Sequence, residues 1–380
     1  MMQSKNLISQ VKSEIVEIEA DDIDVSATTF LDVREPAEVE GGVIEDSIHI
    51  PRGTLETNIE NKITDHDKNI VVYCASGIRS AFATKTLSDL GYTNVKSLIG
   101  GFNGWKDKGN KFIVPKVLNS SQAIRYARHL LLPEVGEAGQ QKLIDAKVLL
   151  LGAGGLGSPA GMYLAASGVG NIGIIDMDIV DNSNLQRQII HSTQTIGMEK
   201  TESAKMRLLG LNPDCKIETY NERLNADNAM EIVSKYDIVL DGTDNFPTRF
   251  LLNDVSVTLG IPVVHGSIFR FEGQVSVFDP TNGPCYRCFL PEPPPPELAP
   301  SCAEAGVLGV LPGIVGCLQA IETMKYILGI GDLLIGRVLS FDSLEMKFRE
   351  FKIRKNPDCK TCGSHVEEIK IKEYDQYCLV

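Results

Sequence analysis

Three groups of residues in this 380-residue chain have types and spacings suited to chemistry. The first is Gly152-Ala-Gly-Gly-Leu-Gly157, which follows the apolar run Lys147–Leu151 and precedes a helix-like stretch. In that context Gly152, Gly154, Gly155 and Gly157 allow backbone amides to approach phosphate at a helix N-terminus. Asp176, ending the next apolar run, can bind ribose hydroxyls, so these residues alone fit a nicotinamide or flavin enzyme as well as an ATP enzyme. Downstream, Ser183-Asn-Leu-Gln-Arg-Gln188 places an amide and a cation at Asn184 and Arg187. Lys200 adds a second cation, and Asp244 follows the stretch YDIVLDGTD. Hydride transfer needs no such set, whereas attack by a carboxylate on an α-phosphate brings like charges together and calls for cations and a metal-binding acid. Taken singly, Arg187 and Lys200 could be solvated surface charges, and Asp241 and Asp244 could be helix caps.

The second group is cysteine. Cys285 and Cys288 form CYRC and Cys359 and Cys362 form CKTC, two hooks that suit tetrahedral Zn²⁺ with no open position for water. A redox dithiol is the alternative, but each hook follows a turn signal, Gly283-Pro284 or Asn356-Pro357, rather than opening a helix. Cys302, in Ser301-Cys-Ala-Glu-Ala-Gly306, lies just past the proline-rich run Pro291–Pro300. On composition it reads as a small buried residue. Cys317 sits in an apolar helical pattern, and Cys215 and Cys378 have no supporting constellation; all three read as inert. The third group is Val72-Tyr-Cys-Ala-Ser-Gly-Ile-Arg-Ser80, a cysteine at a strand end followed by a glycine-containing loop, an arginine and a helix. Loop amides, the helix N-terminus and Arg79 can stabilise an anion on Cys74, lowering its thiol pKa and holding a persulfide.

These groups need two sets of elements. Apolar runs at Thr29–Val33 and Ile70–Tyr73 predict strands, and Ile78–Leu90 predicts a helix closed by Gly91, together a small α/β unit. Beyond a short mixed segment whose Ser and Asn residues can cap a helix, Gln122–Leu132 predicts a helix. Strands are predicted at Lys147–Leu151, Asn171–Ile175, Ile238–Leu240, Ile261–Val264 and Gln274–Phe278, in βαβ order with a mostly parallel sheet. The prolines of Pro291–Pro300 exclude helix and sheet interior there. The expected division is 1–112, a linker at 113–120, and 121–380.

A hydrophobic content of 43% with 23% charged residues describes a globular chain. A net charge of −13 with no local basic run argues against nucleic acid as partner. No apolar stretch approaches a membrane span, and MMQSKNLISQVKSEI lacks the basic start and apolar run of a secretory signal, so a cytoplasmic location is expected.

Jointly, SNLQRQ, the Asp241–Asn245 stretch DGTDN, the glycine loop and Arg125–Leu132 (RYARHLLL) resemble the adenylating enzymes related to ubiquitin activators, particularly the molybdopterin-synthase adenylyltransferases. The resemblance spans Ser121 to Gly363. It implies a Rossmann-like domain that uses Mg²⁺ and ATP to adenylate the C-terminal glycine of a ubiquitin-like sulfur carrier ending in Gly-Gly. It further implies Asp176 as ribose ligand, Asn184, Arg187 and Lys200 as phosphate and transition-state groups, and Asp244 as the magnesium-linked acid. Arg128 corresponds to an arginine donated across a homodimer interface, and Cys302 to a cysteine on a mobile crossover loop, with transient thioester or acyl-disulfide chemistry. Asp32-Val-Arg-Glu35, the CASGIR loop and Gly100-Gly-Phe-Asn-Gly-Trp105 make the first block similar to a single-domain rhodanese, a sulfurtransferase. There the usual GHIPGA-like stretch is Gly42-Val-Ile-Glu-Asp-Ser47, without its histidine and proline, and the rhodanese precedes the adenylating domain rather than following it. The expected activity is adenylation followed by sulfur transfer to a thiocarboxylate in molybdenum cofactor biosynthesis, with an upstream persulfide donor such as a cysteine desulfurase. The same chemistry for thiamine or tRNA thiolation, a nicotinamide oxidoreductase and a noncatalytic carrier-binding scaffold are the alternatives.

Overall fold

The computed structural model describes residues 2–39, 41–114, 118–293 and 306–374, so Cys302 and Cys378 lie outside the described residues. The chain divides into two units, Met1–Val117 and Leu118–Val380.

In the first unit, β1 (Val16–Ile18), β2 (Thr29–Asp32), β3 (Ile48–His49), β4 (Ile70–Tyr73) and β5 (Val95–Leu98) form a wholly parallel sheet in the order β1-β5-β4-β2-β3. Successive side chains alternate between faces. Ile70, Val72 and Cys74 pack with Leu31, Leu55 and Leu87, while Val71 and Tyr73 pack with Phe30, Phe102 and Trp105. Burial on both sides is why β4 reads as an unbroken apolar run. The chain leaves β4 through Gly77 at φ +87° and enters the helix Ile78–Asp89. Ile113, where the linker is expected to begin, bridges back to Val43.

The second unit contains an eight-stranded sheet. Its parallel part is β8 (Lys216–Tyr220), β7 (Asn171–Ile175), β6 (Lys147–Leu151), β9 (Ile238–Asp241) and β10 (Val263–Phe269). An antiparallel extension comes next: β11 (Glu272–Phe278), β12 (Arg337–Asp342) and β13 (Lys347–Lys352), the last exposed throughout. β10 extends past the apolar signal because Arg270, at φ +53°, turns it directly into β11. Val148 and Leu150 face one core with Ile174 and Leu240, and Leu149 and Leu151 face the other with Ile175 and Val239.

The predicted helix Gln122–Leu132 is two short helices, Ser120–Arg125 and Ala127–Leu130. Asn119 caps the first in a reciprocal capping box with Gln122. The break falls at Tyr126, whose ring is buried and whose hydroxyl accepts from Asn212 Nδ2 at 2.9 Å; seating that ring overrides the helical pattern. No helix among the described residues is long and apolar enough to cross a membrane.

Candidate active sites and cysteine cluster

β6 has β7 on one side and β9 on the other, so the strand order switches at β6 and leaves a crevice at the strands' carboxyl ends. A cavity of about 580 Å³ occupies that crevice. Gly152 leaves β6 at φ +97°, with the Gly242 carbonyl 3.2 Å from where a Cβ would stand. A Cβ on Gly157 would lie 2.0 Å from the Gly152 oxygen, so the loop closes only with glycine there. Gly152, Gly154 and Gly155 line the cavity; Gly157 begins the helix Gly157–Ala166 behind it.

Asp176, at the end of β7, accepts hydrogen bonds from the N–H groups of Ala153 (2.8 Å) and Asp178 (2.9 Å). Burial nonetheless holds its carboxyl above the ordinary carboxylate range, against the pull of Lys200. Lys200 opens the helix Lys200–Leu211, is almost fully buried, and pairs with Asp178 at 2.6 Å. Arg187 and Asp244 also line the cavity, Arg187 with Nη1 on the Ser183 carbonyl at 3.2 Å.

Two expected residues stand apart from it. Asn184 is not among the lining residues; its Oδ1 accepts from Asp181 N–H at 3.1 Å in a capped 3₁₀ turn. Arg128 is exposed on the helix Ala127–Leu130, away from the cavity lining.

The cavity also recruits residues that pattern reading passes over. Asn245, rather than Asp241 or Asp244, caps the helix Phe246–Leu259, accepting from Thr248 N–H at 3.0 Å. Asp241 is buried beneath the loop: Oδ1 accepts from Thr243 N–H and Oγ1–H, and Oδ2 faces His265 Nδ1 at 2.9 Å with Arg249 Nε at 3.6 Å. Burial pushes its carboxyl up, but His265, Arg249 and Thr243 outweigh that and hold it below its ordinary value. Arg249 in turn donates to the Thr243 carbonyl at 2.6 Å, so this buried set fixes the backbone that presents Asp244. His191, 7% exposed, meets the Ala153 carbonyl of the glycine loop through Nε2 at 3.0 Å and Ser203 Oγ through Nδ1 at 2.8 Å. Burial lowers its pKa to about 4, so the ring is neutral, donating to Ala153 and accepting from Ser203. SNLQRQ carries a further signal in Gln188, which lines the cavity and is 5% exposed.

In the first unit Cys74 directly follows β4, with its Sγ accepting the Gly77 N–H at 3.2 Å and lying 3.6 Å from Ser80 Oγ. The loop is seated by Phe102 N–H on the Cys74 carbonyl at 2.7 Å; a Cβ at Gly101 would stand 2.3 Å from that oxygen. Arg79 is engaged by Glu38 through two bonds of 2.6 and 2.7 Å, which raise the Arg79 pKa and hold the Glu38 carboxyl at about 2. Arg34 is 3% exposed, pairs with Asp32 at 2.6 Å, and donates to the Gly42 carbonyl at 2.7 Å. That bond, with Tyr73 hydroxyl accepting from Ile44 N–H and bonding Ser47, anchors the stretch that lacks the usual histidine and proline.

Cys285, Cys288, Cys359 and Cys362 bring their four sulfurs within 4.8 Å of one another. Three of the separations are 3.4, 3.7 and 3.9 Å, too long for disulfides. Tetrahedral coordination with metal–sulfur bonds of ~2.3 Å spaces the sulfurs about 3.8 Å apart, so the donor set fits a closed four-thiolate site. Cys215 is buried, and burial pushes its thiol up to about 11; Cys317 is likewise raised.

The ThiF family matches residues 126–361 and the Rhodanese-like domain residues 16–108. The chain is 49% identical over 259 residues to the sulfur carrier protein adenylyltransferase of Thermus thermophilus, a match covering 67% of this chain and 96% of that protein. Identity to the SAMP-activating enzyme E1 of Haloferax volcanii is 48%, covering 69% and 97%. Against the adenylyltransferase and sulfurtransferase MOCS3 of Culex quinquefasciatus it is 47%, covering 69% of this chain and 60% of that one. A crystal structure of E. coli MccB with AMPCPP and MccA superposes with a TM-score of 0.58 at 24% identity, covering 75% of this chain and 85% of that chain, a likeness of fold. The chain belongs to the ThiF family, among its sulfur-carrier adenylyltransferases and sulfurtransferases, and carries a rhodanese domain N-terminal to the adenylating one.

Proposed function

We propose that the chain adenylates the C-terminal glycine of a ubiquitin-like carrier ending in Gly-Gly and then exchanges AMP for sulfur held on Cys74, producing a thiocarboxylate for molybdenum cofactor assembly in the cytoplasm. What carries this reading is the convergence of Gly152, Gly154, Gly155, Asp176, Arg187, Lys200 and Asp244 on one cavity at the sheet's switch point. A carboxylate oxygen of the carrier attacks the α-phosphorus of ATP; the bond to the bridging oxygen breaks and pyrophosphate leaves. Asp176 binds the ribose hydroxyls, the glycine-loop amides face the phosphates, and Arg187 and Lys200 offset the charge that accumulates as two anions meet. Lys200 shifts from Asp178 to phosphate in that step, and Asn184 turns from its cap toward the nucleotide. Asp244 is the residue that would hold Mg²⁺, which when bound draws charge from the phosphate oxygens. Arg128 acts in the second protomer of a homodimer.

Sulfur comes from the first domain, residues 1–112, joined through 113–120 to the adenylating domain at 121–380. The terminal sulfur of a Cys74 persulfide, loaded by an upstream donor such as a cysteine desulfurase, attacks the carrier's carbonyl carbon and AMP leaves. Cys302 thiolate then attacks Cys74 Sγ; the acyl disulfide breaks, the thiocarboxylate departs, and a dithiol reductant reopens the Cys74–Cys302 disulfide. The four-cysteine cluster holds a structural Zn²⁺. The relatives named for sulfur-carrier and SAMP activation match over nearly their whole length, which favours as second reading the same chemistry on a carrier for thiamine synthesis or tRNA thiolation. ATP–pyrophosphate exchange with each Gly-Gly carrier of the same genome decides between them. Exchange with the molybdopterin carrier is expected; no exchange with any carrier overturns the proposal.

A further inference from the structure

Asp254 lies on the helix Phe246–Leu259 and is 2% exposed. A carboxylate at that depth needs several donors, and five arrive. Arg287 donates from Nε to Oδ1 at 3.0 Å and from Nη2 to Oδ2 at 3.1 Å. Thr361 Oγ1 donates to Oδ1 at 3.2 Å, Asn253 Nδ2 to the same oxygen at 3.1 Å, and the Tyr374 hydroxyl to Oδ2. The origin of two of these partners is informative. Arg287 lies between Cys285 and Cys288, and Thr361 between Cys359 and Cys362, so the middle of each cysteine hook is tied to one carboxylate. The neighbouring Asn253 reinforces the tie, its Oδ1 accepting from Tyr286 N–H at 2.8 Å.

The helix carrying Asp254 begins at the nucleotide cavity. Asn245, Phe246, Thr248 and Arg249 all line that cavity. Thr248 and Asp254 are about 9 Å apart along the helix axis at 1.5 Å per residue. The cysteine cluster and the cavity wall are therefore two ends of one rigid element, with Asp254 as the fastening at the cluster end.

We infer that Asp254 is a positioning residue that couples metal binding at the cysteine cluster to nucleotide binding in the cavity; the inference rests on the proposed function for both ligands. With the four sulfurs gathered on a metal, Arg287 and Thr361 are held where they satisfy Asp254, and the helix is seated with its first turn against the nucleotide. With the hooks relaxed, a buried carboxylate loses its donors, and the helix shifts to rehydrate it. Coupling of this kind is reciprocal in the two affinities, so nucleotide must tighten the metal by the factor by which metal tightens nucleotide.

The test uses the full chain. Zn²⁺ affinity is measured by equilibrium competition against a chromogenic chelator, with and without saturating Mg²⁺ and the non-hydrolysable analogue AMPCPP, and AMPCPP affinity is measured calorimetrically with and without Zn²⁺. In the wild type each ligand is expected to tighten the other at least threefold. Asp254→Asn should weaken Zn²⁺ at least tenfold and bring the mutual factor to one, while Thr361→Val, which removes one neutral arm and leaves the charge pair, should reduce the factor partway and keeps the test usable if the first variant does not fold. A role confined to stability would weaken Zn²⁺ and leave the factor intact, and that result overturns the inference. So does a wild type that binds both ligands without mutual effect. A wild type that binds neither Zn²⁺ nor AMPCPP refutes the proposed function, and the coupling with it.

Discussion

His191 ties acidity to the integrity of the glycine loop. Its ring is neutral, lowered from 6.5 to about 4 by burial, whereas in the unfolded chain it titrates near 6.5. The unfolded state therefore binds a proton that the folded state refuses, so the His191 contribution is complete above pH 6.5 and is lost as pH falls toward 4. Between pH 7.5 and 5.0 that loss is about 2 kcal/mol. Because His191 is 7% exposed, little of it is screened by solvent. The perturbation is His191→Gln, whose amide can still donate to the Ala153 carbonyl but has no proton to gain. The assay is denaturant unfolding at both pH values. The chain's one tryptophan, Trp105, lies in the first unit, so its fluorescence reports that unit, and far-UV circular dichroism adds the second. The second-unit transition of His191→Gln should lose about 2 kcal/mol less than wild type on acidification, with the Trp105 transition unchanged. His265, whose pKa burial also lowers, is present in both proteins and cancels. Equal pH sensitivity in the two proteins would refute the reasoning.

Four further outcomes are expected. Asp244→Ala should reduce carrier-dependent ATP–pyrophosphate exchange on the order of a hundredfold with unchanged circular dichroism; a twofold loss would remove Asp244 from the metal-linked role. Cys74→Ala should abolish thiosulfate-to-cyanide sulfur transfer and thiocarboxylate formation, read as the mass gain of oxygen replaced by sulfur on the carrier, while carrier adenylation stays near wild type. Arg79→Ala should act in the same direction more weakly, since the Gly77 N–H still faces the sulfur. Purified protein should hold about one Zn²⁺ per chain, and Cys359→Ser should lower both zinc content and melting temperature; metal-free protein of unchanged stability would contradict a structural site.

Strands buried on both faces are the most legible part of the chain: β4, β6 and β7 coincide with their apolar runs residue for residue. β11 is half visible, because Glu272 and Gly273 carry no apolar signal and owe their pairing to the turn at Arg270. The stretch Gln122–Leu132 misleads for the opposite reason: its spacing is helical, but Tyr126 spends its dihedrals on reaching a buried pocket against Asn212. In the site, glycine spacing and the strand-end acids are readable because backbone geometry dictates them. Asn184 and Arg128 are named through the resemblance and stand outside the cavity lining. The roles of Asp241, His191, Arg249 and Asp254 escape pattern reading because a buried polar residue has no periodic signature; its meaning lies in partners far away in sequence.

The position of those partners sets an order of events during synthesis. β1 pairs with β5, so the first unit's sheet is complete soon after Leu98 emerges, and the loop that follows Cys74 can take shape while the rest of the chain is still being made. At 5–20 residues per second, the ribosome needs on the order of ten seconds or more to finish the remainder. Asp254 and the first cysteine hook appear well before Cys359, Cys362 and Tyr374, which close the cluster and complete the carboxylate's donors. For that interval a half-made thiol site and an under-satisfied carboxylate coexist on the nascent chain. A chain stopped before Cys359 should therefore keep a folded sulfurtransferase unit beside an adenylating unit that cannot mature.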